Sequence, residues 1–187
     1  IAKKLYLNFE FGKLHLPVVV LLIIILGSVF QNAINARSGL VYDFGMGFWG
    51  PLGRDGIWHQ ALTNELIKNF PPQNPAFADQ ILFNYHYFYN LLVSQTSKFT
   101  GIDVINLIYR FYPLTFSVLL GIGTYLLSNI LFKNRLATIF SLFFVYFGGS
   151  FGWIVELMKT GKPFGGESTF WANQAVAMNL NPPFAIS

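Results

Sequence analysis

Residues 111–155 of the chain read FYPLTFSVLLGIGTYLLSNILFKNRLATIFSLFFVYFGGSFGWIV, and this stretch decides the predicted fold class. It holds two apolar runs, 111–132 and 136–155, which only the tripeptide KNR at 133–135 separates. A helix of roughly 20 apolar residues crosses the ~30 Å hydrocarbon core of a membrane. We therefore expect two transmembrane helices joined in a tight antiparallel hairpin.

The composition of the whole chain also indicates a membrane protein. Hydrophobic residues make up 53% of the 187 residues, and Asp, Glu, Lys and Arg only 11%, against about 25% in an ordinary soluble domain. A soluble domain of this length needs more charge to cover its surface, whereas lipid accepts Phe, of which the chain has 21. Cysteine is absent, which excludes disulfides, Cys-type zinc sites and thiol nucleophiles.

A third apolar stretch, 14–36, lies near the start of the chain. We expect it to form the first transmembrane helix; the alternative, a signal peptide, lacks a clean small-x-small cleavage pattern after the apolar run. Residue 1 is Ile rather than Met, and an apolar run resumes near Phe184. We therefore expect residues 1–187 to be the N-terminal part of a single polytopic membrane domain.

The cations beside the apolar stretches predict the orientation. They are Lys3, Lys4 and Lys13 before the first stretch and Lys133 and Arg135 in the hairpin turn. Lys and Arg are enriched in cytoplasmic loops, and both groups agree in placing the N-terminus and the hairpin turn in the cytoplasm. We thus expect a multi-pass protein of the cell membrane, with segments 37–110 and 156–187 on the external side.

The first external segment, 37–110, is too rich in aromatic residues for a disordered linker. Residues 55–70 have helical periodicity, with Trp58, Leu62 and Leu66 on an apolar face and Asp55, His59 and Thr63 on a polar one. Two prolines end this helix, and a second helix is expected at 84–99. The predicted fold is all-α and integral to the membrane. It has about three transmembrane helices and two amphipathic juxtamembrane helices in the first loop, with Trp58 dipping toward lipid.

The stretch WGPLGRDGIWH at 49–59 carries the chemically most informative residues. In a helix that begins before Asp55, this carboxylate and His59 share one face at i,i+4 spacing. Asp55 is then a candidate general base for an acceptor hydroxyl, and Arg54 a candidate bidentate phosphate ligand. Structural alternatives stay open: Asp55 as an ordinary helix N-cap, Arg54 as an interfacial anchor, and His59 as a residue of the polar face.

Three further residues are candidates for contacts with a substrate. Tyr85 and His86 lie in an aromatic cluster that is either a sugar-stacking surface or an interfacial aromatic belt. Arg110 is either a second phosphate ligand or an anchor in front of the second span. Asp55 and His59 alone do not make a metal site. The chain has no P-loop, dinucleotide fingerprint or metalloprotease motif, and no basic tract suited to nucleic acid.

Several motifs resemble those of a known group of membrane enzymes. They are DGIWH at 55–59, FPPQNP at 70–75, NYHYFY at 84–89 and KFTGI at 98–102. A first span followed by a long external loop with an acid and two juxtamembrane helices resembles the GT-C glycosyltransferase superfamily, which includes protein mannosyltransferases and lipid A sugar transferases. The proline and tyrosine motifs are also similar to the bacterial and archaeal "YYY" membrane proteins.

The resemblance implies an inverting transfer of a sugar from a polyprenyl-phosphate donor to a glycan, lipid or protein acceptor on the outer face of the membrane. Asp55 matches the family's first-loop acid and would act as general base. Many relatives carry two adjacent acids, whereas Arg54 and Gly56 flank a single Asp here, so binding of a divalent metal stays open. The alternatives are a transporter or flippase for a polar or lipid-linked solute, and a noncatalytic structural subunit. Acids concentrated in the loop rather than in the spans favour the transferase.

Overall fold

The computed structural model describes residues 16–33, 35–48, 50–148 and 152–162 of the chain. The fold is mostly helical. Its helices are α1 (Val18–Asn32), α2 (Asp55–Lys68), α3 (Phe88–Thr100), α4 (Val104–Phe132), α5 (Arg135–Phe147) and α6 (Gly152–Thr160). Between α1 and α2 the chain forms an antiparallel pair of strands, β1 (Leu40–Tyr42) and β2 (Gly45–Gly47), and 3₁₀ turns at Asn35–Arg37 and Gly50–Gly53.

Among the described residues, α4 is the one helix long and apolar enough to cross a membrane. Its 29 residues extend over about 44 Å at about 1.5 Å per residue. The helix starts earlier than the predicted 111–132, because the Asp103 side chain accepts a hydrogen bond from the Ile105 N–H (3.1 Å) and caps the N-terminus. Arg110 therefore lies inside the helix and not in front of it as predicted.

A π-helical turn at Leu107–Phe111 explains how α4 continues through Pro113. Proline has no N–H, and in a regular helix its ring clashes with the carbonyl four residues earlier. In the wider turn the Tyr112 N–H bonds to the Leu107 carbonyl, five residues back. A π-helical turn directly before the proline adjusts the backbone at the point where the regular hydrogen-bond ladder is interrupted.

The other two predicted spans form shorter helices than expected. α1 has 15 residues against the predicted 14–36, because Pro17 stands at its N-cap and the chain turns at Ala33. α5 has 13 residues against the predicted 136–155, because the backbone of Gly148 is extended (ψ 114°) and ends the helix. At about 1.5 Å per residue these helices measure roughly 22 and 20 Å, less than the ~30 Å of a hydrocarbon core.

α6 occupies the last described part of the chain. It runs across the predicted boundary at residue 155, where the third span was expected to give way to the external segment 156–187. Most of that segment lies outside the described residues.

α1, α4 and α5 pack against each other as a three-helix bundle. The buried core of the bundle consists of Val20, Ile24, Leu142 and Tyr146. A Cβ at Gly27 or Gly121 would collide with the Tyr146 side chain. Small residues at helix contacts let backbones approach closely, as they do between helices in membranes. Tyr146 of α5 therefore packs closely against one glycine of α1 and one glycine of α4.

Side-chain pairs give the directions of these helices. Gln31, near the end of α1, accepts a hydrogen bond from the Ser117 hydroxyl of α4 (2.7 Å) and donates to the Val145 carbonyl near the end of α5 (3.5 Å). α1 therefore runs antiparallel to α4 and parallel to α5. The start of α1 and the α4–α5 turn lie at one end of the bundle, and residues 35–103 lie at the other end.

The turn between α4 and α5 is as tight as predicted. Lys133 ends α4 with a left-handed backbone (φ 48°). The Asn134 side chain then caps α5, accepting hydrogen bonds from the N–H groups of Leu136 (2.9 Å) and Ala137 (3.2 Å). The antiparallel hairpin inferred from the sequence is confirmed.

We call the described residues of 35–103 the head. Its core packs Leu52 and Tyr89 against the base of α4, and α2 and α3 pack side by side. The prediction that the first loop folds into two helices is confirmed. α3 begins later than the predicted residue 84, because Asn84 has a left-handed backbone (φ 55°). It ends at Gly101 (φ 72°), as expected.

The β1–β2 hairpin is the element of the head that the sequence did not predict. Its strands have three residues each, and β2 reads Gly-Met-Gly, which is too short and too rich in glycine to show a strand pattern. Gly39, directly before the hairpin, has a left-handed backbone (φ 71°) and packs against Ile105 and Tyr109 of α4. This contact fixes the hairpin to α4.

The surroundings of α2 also differ from the prediction. His59 and Thr63 of its predicted polar face are 4% and 0% exposed, and Leu62 and Leu66 of its apolar face are 0% and 1% exposed. Both faces are covered because α2 lies among the other elements of the head. Trp58 is partly buried and packs against the core of the head, while Ile57, Asn64 and Lys68 stay exposed. α2 is therefore buried on both predicted faces and exposed along a different stripe.

Candidate functional site

Asp55 is the first residue of α2, and Arg54 stands at the N-cap position without a capping hydrogen bond from its side chain. The N-cap residue is therefore Arg54, one position before Asp55, which the sequence had offered as an alternative. A carboxylate in the first turn of a helix is stabilised by the partial positive charge of that helix end. Asp55 is half-buried and Arg54 is exposed, so both are accessible to a ligand at the surface of the head.

A close contact with α4 fixes the position of this helix end. A Cβ at Gly56 would collide with the Tyr109 hydroxyl group of α4, so the contact requires glycine at this position. Leu52, in the turn before Asp55, is 1% exposed and belongs to the same buried cluster as Tyr109. Asp55 is thereby placed at the junction of the head and the bundle.

His59 lies one turn further along α2 and is hydrogen-bonded to α3. Its Nδ1 is 3.2 Å from Oδ1 of Asn90. The Asn90 amide group donates to the His59 carbonyl (2.9 Å) and to the Thr63 hydroxyl (3.0 Å). Thr63 in turn donates to the His59 carbonyl (2.7 Å). All three side chains are buried, and they join α2 to α3 through a network of hydrogen bonds.

The protonation of His59 is governed by this burial. Burial lowers its pKa below the ordinary value of 6.5, and the contact with Asn90 and the charge of Asp55 oppose that effect, while His86 adds to it. Desolvation by burial favours the neutral form of an imidazole. Burial of His59 therefore favours its neutral form, and the side chain is a buried member of the network rather than an exposed residue of the polar face.

Tyr85 and His86 lie beside this network in the irregular segment before α3. The rings of Tyr85 and His86 stack, with centroids 4.6 Å apart, and the Tyr85 ring meets Trp58 edge-on at 5.8 Å. Its centroid is 6.4 Å from that of His59. Burial raises the pKa of Tyr85, a hydrogen bond with Trp58 opposes this, and the charge of Asp55 raises it further.

The structure thus brings four of the six predicted site residues together. Asp55 acts electrostatically on both His59 and Tyr85, and His86 stacks on Tyr85. The cluster offers one carboxylate, one neutral imidazole and a row of aromatic rings, while the exposed Arg54 is adjacent in the chain. This set combines a proton acceptor, hydrogen-bonding groups and flat apolar faces, which together suit a ligand with hydroxyl groups.

Arg110 has other partners. Its guanidinium donates to Oδ1 of Asn106 (3.0 Å) and to the carbonyl of Ser38 (3.1 Å). These bonds brace the chain in front of the β1–β2 hairpin against α4. The observed contacts give Arg110 a structural role in the head.

The described residues contain no group of three or more His, Cys, Asp or Glu side chains arranged to hold a metal ion. Within that part of the chain, Asp55 and His59 therefore remain the two-ligand set inferred from the sequence, short of the number that a protein metal site usually supplies.

Sequence reasoning placed Thr63 on the polar face of α2 without a role in the site, and it missed Asn90. Both residues are 0% exposed and hydrogen-bonded to His59. Thr63 had a visible signal, because it follows His59 at i,i+4 spacing on the same face of α2. Asn90 had none, because it is 31 residues away in the chain and its partner is decided by the packing of α3.

Comparisons of the chain with protein-family models, with curated proteins and with solved structures give no match.

Proposed function

We propose that the chain is part of a multi-pass membrane glycosyltransferase of the GT-C type. It transfers a sugar from a polyprenyl-phosphate donor to a glycan, lipid or protein acceptor on the external face of the cell membrane. The observation that carries this proposal is the half-buried Asp55, which lies beside His59 and Tyr85 at the junction of the head and an apolar helix bundle.

The outer surface of the bundle supports its location in lipid. Large apolar side chains of all three helices are exposed, among them Val18, Leu26 and Val29 of α1, Leu127 and Leu131 of α4, and Phe140 and Phe144 of α5. Contiguous apolar surface of this kind is rare on soluble monomers and typical of a contact with a membrane or another protein. α4 is long enough to span the bilayer, and α1 and α5 pack along it.

The chemistry of the cluster fits sugar transfer. An acceptor hydroxyl attacks the anomeric carbon, its O–H proton passes to the Asp55 carboxylate, and the bond between that carbon and the phosphate oxygen breaks. The new carbon–oxygen bond forms on the opposite face, so the configuration inverts. The leaving phosphate gains negative charge, which the guanidinium of Arg54 stabilises more strongly than it stabilises the donor.

The remaining residues of the cluster supply binding surface for the sugar. Tyr85 and His86 stack on each other and present ring faces, and the buried His59 packs beside Tyr85. Arg110 is the weaker candidate for the phosphate, since the structure engages its guanidinium with Ser38 and Asn106. Binding of a divalent metal is not needed for this proton transfer, and its role stays open.

A transporter or flippase is the second candidate, favoured by the buried Gln31 in the bundle core. Polar side chains inside a membrane bundle often line a solute path. Here both ends of the Gln31 amide are engaged, with Ser117 and with the Val145 carbonyl, which is a structural use of these groups. The transferase is therefore preferred over the transporter, and a noncatalytic structural subunit is the third candidate.

The substitution Asp55→Asn tests the proposal. The amide keeps the shape of the side chain but cannot accept the proton, so sugar transfer from polyprenyl-phosphate donors should fall by about 10²–10⁴-fold. Asp79→Asn is the matched control: Asp79 is exposed and has φ 60°, a conformation that Asn tolerates well. It should transfer sugar at the wild-type rate.

Radiolabelled sugar transfer into lipid or protein acceptors measures both variants, with thermal unfolding as the check on folding. Equal transfer by Asp55→Asn and wild type would remove Asp55 as the base. Absence of transfer by the complete wild-type protein with all polyprenyl-phosphate sugars tried would favour the transporter.

A further inference from the structure

The hydrogen bonds around Asn90 determine which way its side-chain amide faces. The carbonyl of His59 has only acceptor capacity, and it lies 2.9 Å from one end of that amide. That end must be the NH₂ group, because a second oxygen there would place two acceptors in contact. The same NH₂ group lies 3.0 Å from the Thr63 hydroxyl oxygen, whose own hydrogen is already donated to the His59 carbonyl.

The orientation of the amide then determines the tautomer of His59. Oδ1 of Asn90 lies 3.2 Å from Nδ1 of His59, and an amide oxygen only accepts. Nδ1 must therefore carry the hydrogen. In a neutral imidazole one ring nitrogen is a donor and the other an acceptor, so the lone pair belongs to Nε2. An amide flip, the usual ambiguity in such networks, is excluded here by the backbone carbonyl.

We infer that Asn90 is a positioning residue, which holds His59 as the neutral Nδ1–H tautomer and leaves Nε2 as the acceptor nitrogen of the ring. Burial supports the neutral form, because it lowers the pKa of His59. The charged or titratable groups that act on the ring are Asp55 and His86, and the Tyr85 ring lies beside it.

The tautomer of His59 determines which kind of ligand group can hydrogen-bond to its ring. The unprotonated Nε2 accepts a hydrogen bond from a donor such as a hydroxyl. It cannot hydrogen-bond to an ionised phosphate oxygen, which is itself only an acceptor. A ligand group that hydrogen-bonds to Nε2 would therefore be a hydroxyl of the sugar or of the acceptor alcohol, and the phosphate would be left to Arg54. The identity of the ligand as a sugar rests on the proposed function, whereas the tautomer does not.

The tautomer is measured by NMR of the full chain in lipid nanodiscs, with ¹⁵N-labelled histidine. The nitrogen shifts separate a protonated from an unprotonated ring nitrogen, and the chain has only three histidines, which His15→Gln and His86→Gln assign. Wild-type His59 should show a protonated Nδ1 and an unprotonated Nε2 at neutral pH. This readout needs no donor or acceptor substrate, so it is independent of any failure of the transfer assay.

Variants of α3 test the role of Asn90. Asn90→Leu removes the acceptor at Nδ1, so the His59 signals should move to a mixture of tautomers. Asn90→Asp keeps an acceptor there and adds a charge, so the tautomer should persist and the pKa of His59 should rise above that of the wild type. Ser94→Ala is the matched control, since Ser94 is buried one turn further along α3 and its hydroxyl donates to the Leu91 carbonyl within the same helix.

The control should give the wild-type spectrum. A wild-type His59 with its hydrogen on Nε2 would overturn the inference. So would Asn90→Leu with unchanged His59 signals. Should that variant fail to fold, an unchanged His59 pKa in Asn90→Asp would equally contradict the contact.

Discussion

Protonation of His59 is unfavourable in the folded protein, because burial lowers its pKa below the ordinary value of 6.5. The unfolded chain takes up this proton near pH 6.5, whereas the folded chain takes it up only at a lower pH. Between those two values the unfolded state binds more protons, so the free energy of unfolding decreases as the pH falls.

His59→Gln should remove this part of the pH dependence. As the pH falls from 7.5 through about 6.5 and below, the thermal midpoint of the wild type should decrease more steeply than that of the variant. Acid titrations followed by circular dichroism measure the two slopes. Parallel curves for wild type and His59→Gln would show that His59 is not buried as a neutral side chain.

Individual side chains were predictable only where their partners are local. Asp55 and His59 share a face of α2 as their i,i+4 spacing predicts, and both lie in the site. The burial of His59 was not predictable, because its cover is Asn90 on α3, and nothing in the sequence around position 90 marks that contact. Arg110 shows the same limit, since its partner Ser38 is 72 residues away.

The three-helix bundle depends on how closely Tyr146 approaches α1 and α4. An added Cβ at Gly121 would collide with the Tyr146 hydroxyl group and lie 2.8 Å from Cγ1 of Ile24, whereas a Cβ at Gly123, two residues further along α4, meets nothing within 4 Å. The two glycines therefore offer a matched pair of substitutions in one helix.

Gly121→Ala should destabilise the bundle by about 1–3 kcal/mol, the usual cost of overpacking. Gly123→Ala should be neutral or stabilise it by up to about 1 kcal/mol, because alanine favours the helix. Unfolding by SDS titration in mixed micelles measures both variants. Equal stability of the two would mean that Tyr146 does not fit against Gly121.

Helices with strong signals were predicted well, and their ends less well. The predicted helix at 55–70 is confirmed as α2, because Pro71 and Pro72 end the apolar periodicity. The start of α4 at Val104 was missed because Arg110 interrupts the uncharged run, so the span was placed from residue 111. The β1–β2 hairpin was missed because short glycine-rich strands have no periodic pattern.

The molecule has two parts, the bundle of α1, α4 and α5 and the head that carries the Asp55 cluster. The sequence predicted this division, since apolar composition marks the helices and the aromatic loop marks the head. It also predicted that the start of α1 and the α4–α5 turn share one end, which the Gln31–Ser117 bond confirms. The shortness of α1 and α5 was not predicted, because the breaks at Pro17 and Gly148 lie inside apolar runs.

The proposed function requires the head to face the outside of the cell, where polyprenyl-phosphate sugars would be used. The cysteine-free sequence allows single labels at the two ends of the bundle. Ala76→Cys places a thiol in the head, and Arg135→Cys places one at the α4–α5 turn without removing the Asn134 cap. Both positions are exposed.

A membrane-impermeant maleimide applied to right-side-out vesicles is the most direct test. The account predicts that Ala76→Cys is labelled in intact vesicles and that Arg135→Cys is labelled only after the membrane is permeabilised. The reverse pattern would place the Asp55 cluster in the cytoplasm, and labelling of both positions in intact vesicles would show that the bundle does not cross the membrane. Either result would contradict the proposed function.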